Sequence, residues 1–271
     1  MTFLAHHICL RLKNDQIIAP TPEERRILAR VVLTKGKSNK LLAFSLADTH
    51  LHLLSGCMPG PSRELARRIE LSLHFKLGLR IGFAPAHVNP VRDNRHNQNT
   101  FSYIMGQDVR HELQCDPFRE ASNLPDLLGL RPLGAYTARN VRQILPRIKR
   151  RDLIKHLGVE SLELTTKPTG PALLQAGLMA AALPELKGRL GMETRRAIIE
   201  VASPHMQMQE IATHLGVTRQ TVRNLGKKPA DPSLVRAVKL QTSLILKHRG
   251  TRVNEEPFLG DSDRSSDKAT T

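Results

Sequence analysis

Residues 41–54 read LLAFSLADTHLHLL, an apolar run that carries His50 and His52. Successive side chains of a β-strand point to opposite faces of the sheet, so His50 and His52 share one face while Leu51 points into the core. The run therefore predicts a strand that presents two imidazoles side by side.

Tyr103 lies further along the chain, in the segment TFSYIMGQ at residues 100–107. Asn99 or Thr100 is a suitable N-cap for a helix here. In such a helix Tyr103 and Gln107 lie four residues apart and share a face. We expect the phenol, the amide oxygen of Gln107 and the two imidazoles to converge on one divalent metal ion.

The first half of the chain alternates between strand and helix signals. Residues 7–13 alternate as a strand does, and residues 81–91 indicate loop and a short strand. A threonine, a proline and two acids, from Thr21, predict the start of a helix that continues to residue 33. A second helix is predicted from Pro61, with apolar residues at helical spacing. This order predicts an α+β fold with helices packed on a small antiparallel sheet.

The second half is helical in pattern, and three prolines at positions 117, 125 and 132 mark an irregular passage before it. It includes a basic helical region, residues 139–157, interrupted at Pro146. We divide the chain into a sheet domain at 1–134, a helical connector with a basic helix and a linker at 135–182, an all-α helix-turn-helix domain at 183–250, and a tail at 251–271 expected to be disordered.

Residues 208–225 carry the pattern of a helix-turn-helix. Gly216 stands where the tight turn requires a left-handed residue, and Thr218 is a suitable N-cap for the second helix. The second helix presents side chains suited to base edges and phosphates. These predicted DNA-binding residues are Thr218, Arg219, Gln220, Thr221, Arg223 and Asn224. The alternative is a helical hairpin with no DNA role.

The chain is strongly basic, with 41 Lys and Arg against 25 Asp and Glu and a formal net charge of +16. Such a surplus attracts polyanions and favours a nucleic-acid partner, with an anionic membrane surface or the ribosome as alternatives. No apolar stretch reaches the length of a membrane span, and no signal peptide is evident. The three cysteines form no CxxC pair, which argues against a disulfide framework or a zinc-thiolate site. We expect a cytoplasmic, nucleoid-associated protein of bacterial type.

With these residues in view, the stretch from His6 to Gln107 resembles the single-tyrosine HUH transposases of the IS200-like and REP-associated group. In that family a His-hydrophobic-His strand and a tyrosine on a later helix form the site. The matching positions are His50, His52, Tyr103 and Gln107, in the family's usual order. The chain departs from the family's usual residues before His50, where it has Ala-Asp-Thr instead of Met-Pro-Asn, and after Tyr103.

The resemblance implies a ferredoxin-like HUH fold and an activity in DNA transposition and recombination. His50, His52 and Gln107 would hold Mg²⁺ or Mn²⁺ as the metal cofactor. Tyr103 would cut single-stranded or hairpin DNA through a 5′-phosphotyrosine intermediate, which a 3′-hydroxyl then rejoins. The helix-turn-helix, which the minimal transposase lacks, would bind duplex DNA. Family members work as homodimers or as monomers, and both arrangements stay open.

Two other functions compete with this interpretation. One is a non-catalytic or domesticated DNA-binding regulator, and the other is a replication initiator or relaxase-like nickase, which the short chain without a helicase motor disfavours. Tyr136, the other tyrosine, is interpreted as a packing residue. His6 and His7 are interpreted as a flexible terminal pair, and the alternative is that they face the sheet near the site. Basic residues at Arg67, Arg68, Lys76 and Arg80 are either contacts to a DNA backbone or a solvated helix face.

Overall fold

A computed structural model describes residues 4–107 and 116–253 of the chain. It contains a sheet of four antiparallel strands in the spatial order β2-β3-β1-β4. The strands are β1 (Ala5–Arg11), β2 (Leu41–Ala47), β3 (His50–Ser55) and β4 (His87–Val91). The prediction of an α+β fold with a small antiparallel sheet is confirmed.

Two helices connect the strands and pack on the same face of the sheet. Helix α1 (Pro22–Gly36) joins β1 to β2, and helix α2 (Pro59–Leu77) joins β3 to β4. The backbone N–H of Glu24 donates to the Thr21 hydroxyl, while the Glu24 carboxylate accepts from the Thr21 N–H at 2.9 Å. This capping box satisfies two backbone donors and confirms the predicted start of α1. Helix α2 begins two residues before the predicted Pro61.

Helix α3 (Asn94–Met105), which carries Tyr103, covers the opposite face of the sheet. Its N-cap is Asp93, whose carboxylate accepts from the backbone N–H of His96 at 2.8 Å. The predicted cap at Asn99 or Thr100 is therefore wrong, because the aspartate starts the helix more than one turn earlier. Phe101 and Ile104 of α3 are buried against one end of the sheet.

The passage after the sheet is held by buried polar groups. It includes helix α4 (Leu124–Leu127). Just before α4, the side-chain amide of Asn123 accepts a hydrogen bond from the Phe44 N–H of the edge strand β2 and donates one to the Leu42 carbonyl. Arg131 is buried beside Asp126, with an N–O distance of 2.6 Å. These contacts fix an irregular chain against the sheet.

The C-terminal half is a bundle of helices. Its elements are α5 (Ala135–Ile144), α6 (Arg150–Lys155), α7 (Gly170–Ala181), α8 (Gly188–Ala202), α9 (Met208–Leu215), α10 (Arg219–Gly226) and α11 (Pro232–Val253). The break at Pro146 falls between α5 and α6. Helices α7 to α11 share one apolar core.

Helix α7 belongs to that core although it lies in the segment assigned to the connector. Helix α11 packs against both halves of the molecule, since Ile245 lies in the helical core and Leu244 in the core under α3. The Gln241 amide also donates to the Leu130 carbonyl at 3.2 Å. The helical bundle is therefore packed directly onto the sheet domain.

Residues 251–253, which the sequence interpretation placed in the tail, are the last residues of α11. The rest of the predicted tail, residues 254–271, lies outside the described residues. Within residues 4–107 and 116–253, no helix combines the length and apolar character needed to cross a lipid bilayer.

Candidate active site and helix-turn-helix

A two-residue turn between β2 and β3 fixes the register of β3, the strand that carries His50 and His52. Ala47 pairs with His50 across the turn, and Asp48 takes the left-handed conformation with φ of 47°. Aspartate tolerates this conformation better than most residues. The register places His50 and His52 on the α3 face of the sheet, as the alternation predicts, and buries Leu51 on the other.

The two imidazoles lie nearly parallel, with ring centroids 6.2 Å apart and an interplanar angle of 15°. Nδ1 of His50 lies 2.7 Å from the Thr49 hydroxyl, and Nδ1 of His52 lies 3.1 Å from Nε2 of His7. In metal sites the second ring nitrogen of a histidine ligand usually makes such a bond, which fixes its tautomer and orientation. The Nδ1 atoms of both residues are thus engaged by neighbouring side chains.

His7 lies in the histidine cluster, a placement that the sequence interpretation gave only as the alternative to a flexible terminal pair. It lies in β1 beside His52 with ring centroids 5.3 Å apart, and burial, followed by the nearby His96, lowers its pKa. His6 points to the opposite face, where its Nδ1 lies 2.7 Å from the Cys57 carbonyl oxygen. The prediction of a flexible terminal pair is therefore wrong, because both histidines lie in a paired strand.

Tyr103 projects from α3 onto this cluster. Its ring meets His52 edge-on, with centroids 5.6 Å apart, and meets His7 at 6.0 Å. The residue keeps 38% of its surface exposed, whereas His52 keeps 7%. The phenol therefore lies between the histidine cluster and open solvent.

Gln107 is fully buried at the end of α3. Its Nε2 donates to the Tyr103 carbonyl at 2.9 Å, and its Oε1 is buried with no hydrogen-bond partner among the described residues. A buried amide oxygen without a donor is costly, and a cation would satisfy it. Two imidazoles and one amide oxygen are donor types that suit a divalent ion. In the described ranges no three His, Cys, Asp or Glu side chains are placed so that they could hold a metal ion, so the Gln107 amide is the candidate for the third ligand.

Further polar side chains surround the cluster. His87 and Asn89 on β4 stand opposite Cys9 and His7 in the strand register and are exposed. His96 is exposed two helical turns before Tyr103 on α3. That spacing was visible in the sequence as a signal that His96 and Tyr103 share a helix face.

The other tyrosine and the basic residues of α2 lie away from the cluster. Tyr136 is buried, its hydroxyl donates to the Leu33 carbonyl at 2.8 Å, and burial raises its pKa, in agreement with a packing role. Helix α2 lies on the face opposite His52. There the Arg67 guanidinium pairs with Glu64 at 2.9 Å, and Arg68 donates to the Asn39 side chain.

The second candidate site is the pair of helices α9 and α10. Gly216 joins them with φ of 62°, and Thr218 caps α10 by accepting from the backbone N–H of Thr221 at 3.1 Å. The turn and cap thus form as the sequence predicts. Val222 is buried, whereas the residues exposed around it are Arg219, Gln220, Arg223 and Asn224. The DNA-binding role of this surface stays a prediction.

Comparison of the chain with protein-family models, with curated proteins and with solved structures found no match.

Proposed function

We propose that this protein is a metal-dependent DNA strand transferase of the single-tyrosine HUH type. The observation that carries the proposal is the placement of Tyr103, partly exposed, with its ring 5.6 Å from His52 and 6.0 Å from His7. A nucleophile beside a pair of potential metal ligands is the arrangement that phosphodiester cleavage requires.

The topology supports the same proposal. The chain order β-α-β-β-α-β, with strands arranged as β2-β3-β1-β4, is the ferredoxin-like arrangement that the resemblance implies. The helix with the tyrosine follows the last strand and crosses the face with the histidines. This order of elements, with the histidines and Tyr103 on one face of the sheet, supports the proposal.

The reaction conserves the number of phosphate ester bonds. The Tyr103 oxygen forms a bond to phosphorus while the bond from phosphorus to the 3′-oxygen breaks. The phenolic proton passes to solvent, and the departing 3′-oxygen takes up a proton to become a hydroxyl. A second 3′-hydroxyl reverses the exchange and releases the tyrosine, so no nucleoside triphosphate is consumed.

His50, His52 and Gln107 would hold Mg²⁺ or Mn²⁺ in this proposal. When bound, a divalent ion supplies positive charge to the phosphoryl oxygens as negative charge develops on them. Tyr103 is positioned by its edge contacts with the rings of His52 and His7. His7 orients His52 through the bond to its Nδ1.

The test uses the full chain with a pool of 3′-labelled single-stranded hairpin oligonucleotides of random sequence, with Mn²⁺ or Mg²⁺, because the 3′ part of the cut strand stays on the tyrosine. A protein–DNA adduct that survives denaturing electrophoresis and requires the metal supports the proposal. Duplex binding without any adduct would instead favour the non-catalytic regulator. The capped helix pair α9 and α10 is the structural feature that supports this alternative. The relaxase-like alternative would form the same adduct through the same chemistry.

His7→Phe is expected to weaken Mn²⁺ binding by roughly 10- to 100-fold, because it removes the partner of the His52 Nδ1 and keeps the ring. Electron paramagnetic resonance of bound Mn²⁺ measures this affinity without any DNA. His7→Gln, which retains a hydrogen-bonding amide, should recover part of the loss. His87→Phe is the matched control on exposed β4, and equal Mn²⁺ affinity in both phenylalanine variants would refute the orienting role.

Arg219→Ala with Arg223→Ala is expected to weaken duplex binding and to lower the salt dependence by about one per lost phosphate contact. Fluorescence anisotropy over a salt series measures both quantities. Lys239→Ala, an exposed cation on α11, is the control. An unchanged salt slope in the double variant would contradict a DNA role for α10. Deleting the bundle is a poorer test, since α11 also packs on the sheet domain.

A further inference from the structure

Five arginines line a cavity of about 450 Å³ where the C-terminal helices meet the passage around α4. Arg131 is paired with Asp126, and the other four arginines line the cavity from the C-terminal helices. We call it the arginine cavity. Arg139 and Arg142 come from α5, Arg150 from α6 and Arg236 from α11, and Ser233 of α11 also lines the wall. Three separate elements thus bring positive charge to one place.

The acidic groups near this cavity are already engaged. Asp126 lines it, but its carboxylate is buried against Arg131 at 2.6 Å. Asp231, close by in sequence at the start of α11, accepts from the hydroxyl and the backbone N–H of Ser233. Among the described residues, no carboxylate forms an ion pair with any of the four arginines. The positive charge of the cavity is therefore not neutralised by the described protein.

The arginines repel one another. Burial, followed by the positive charges of Arg236 and Arg142, lowers the pKa of Arg150. Arg150 is held in place by donating to the Leu128 carbonyl at 2.6 Å. Like charges gathered in this way destabilise the free protein, and an anion in the cavity would relieve the repulsion.

We propose that the arginine cavity binds two adjacent phosphate groups, as a nucleic-acid backbone or a nucleoside polyphosphate presents them. Guanidinium groups match phosphate oxygens with paired N–H donors, and four of them suit a ligand with more than one negative charge. The cavity volume lies within the usual range for small-molecule sites. The site is separate from Tyr103 and the histidines, and it gives a role to the basic helical region of residues 139–157.

The position of the cavity indicates what its occupation would do. Helices α5 and α6 precede the linker, whereas α11 packs in the core that includes α9 and α10. A pair of phosphates held there would contact both parts of the molecule. A bound polyanion would therefore tie α5 and α6 to α11.

The test compares two triple variants of the full chain by isothermal titration calorimetry with inorganic pyrophosphate at low salt. Arg139→Gln, Arg142→Gln and Arg236→Gln remove three exposed cavity charges and leave Arg150 with its carbonyl contact. Arg63→Gln, Lys76→Gln and Arg80→Gln remove the same charge elsewhere on the surface and form the control. We expect the cavity variant to lose at least about tenfold in pyrophosphate affinity and the control variant to keep it.

Two further titrations identify the source of the phosphates. A parallel loss of affinity for a labelled single-stranded oligonucleotide would identify a nucleic-acid backbone, and a loss confined to pyrophosphate and adenosine triphosphate would identify a nucleotide. Absence of pyrophosphate binding by the wild-type chain, or equal losses in both triple variants, would overturn the proposal. None of these outcomes depends on adduct formation by Tyr103, which is measured separately.

Discussion

Tyr103→Phe is expected to reduce the covalent protein–DNA adduct to background while DNA binding is retained. Phenylalanine keeps the ring contacts with His52 and His7 and removes only the hydroxyl oxygen that would attack phosphorus. The proposed reaction uses the Tyr103 oxygen as its protein nucleophile and no serine or cysteine, so we expect complete loss of the adduct in Tyr103→Phe. Denaturing electrophoresis of labelled hairpin DNA measures the adduct, and anisotropy measures binding.

Tyr136→Phe provides the matched control for this experiment. The Tyr136 hydroxyl is buried and donates to the Leu33 carbonyl, so its removal should cost about 1 kcal/mol of stability and leave the adduct intact. Mass spectrometry of the digested adduct should find the nucleotide on the peptide that contains Tyr103. Adducts of wild-type yield from Tyr103→Phe would show that another residue is the nucleophile.

Arg131→Met is expected to lower the free energy of unfolding by about 3–5 kcal/mol, because it leaves the buried carboxylate of Asp126 without its partner. The guanidinium also donates to the carbonyls of Glu120 at 2.9 Å and of Ser122. Through these three contacts, the Arg131 side chain holds together the irregular segment between the sheet and the C-terminal helices. Urea denaturation followed by circular dichroism measures the change.

A second substitution separates the buried charge from the lost packing. Arg131→Met combined with Asp126→Leu should recover much of the stability, since both charges are then replaced by apolar groups. Arg67→Met, which breaks an exposed pair with Glu64, should change the stability by less than about 1 kcal/mol. A similarly small effect of Arg131→Met would contradict the importance assigned to the buried pair.

Local features of the fold were readable from the sequence. The capping box at Thr21 and the left-handed turn at Gly216 depend on residues close together in the chain, and both appear where predicted. The common face of His50 and His52 follows from strand alternation in the same way. The sequence analysis placed the start of α3 at Asn99 or Thr100, whereas the helix begins after Asp93, whose carboxylate accepts from the His96 N–H.

The candidate site was only partly readable. His50, His52 and Tyr103 were predicted as site residues from their spacing in the sequence and from the family resemblance. The placement of His7 near the site was only the alternative interpretation, because no local pattern reveals that β1 lies next to β3 in the sheet. His96 shares a helix face with Tyr103 and was available from spacing alone. The roles of Asp126 and Arg131 depend on their complete burial, which composition does not disclose.

By itself the sequence determined where strands and helices form and which way their side chains point, since those choices depend on backbone sterics and hydrogen bonds within a few residues. Tertiary structure alone decided that His7 reaches His52 and that Arg236 of α11 joins Arg150 of α6 around one cavity. Both contacts depend on the spatial order of the strands and on how helices distant in sequence pack together. The strand order and the helix docking are determined by the free energy of burying apolar surface over the whole molecule. That free energy depends on residues far apart in the chain, so no short segment of the sequence reveals it.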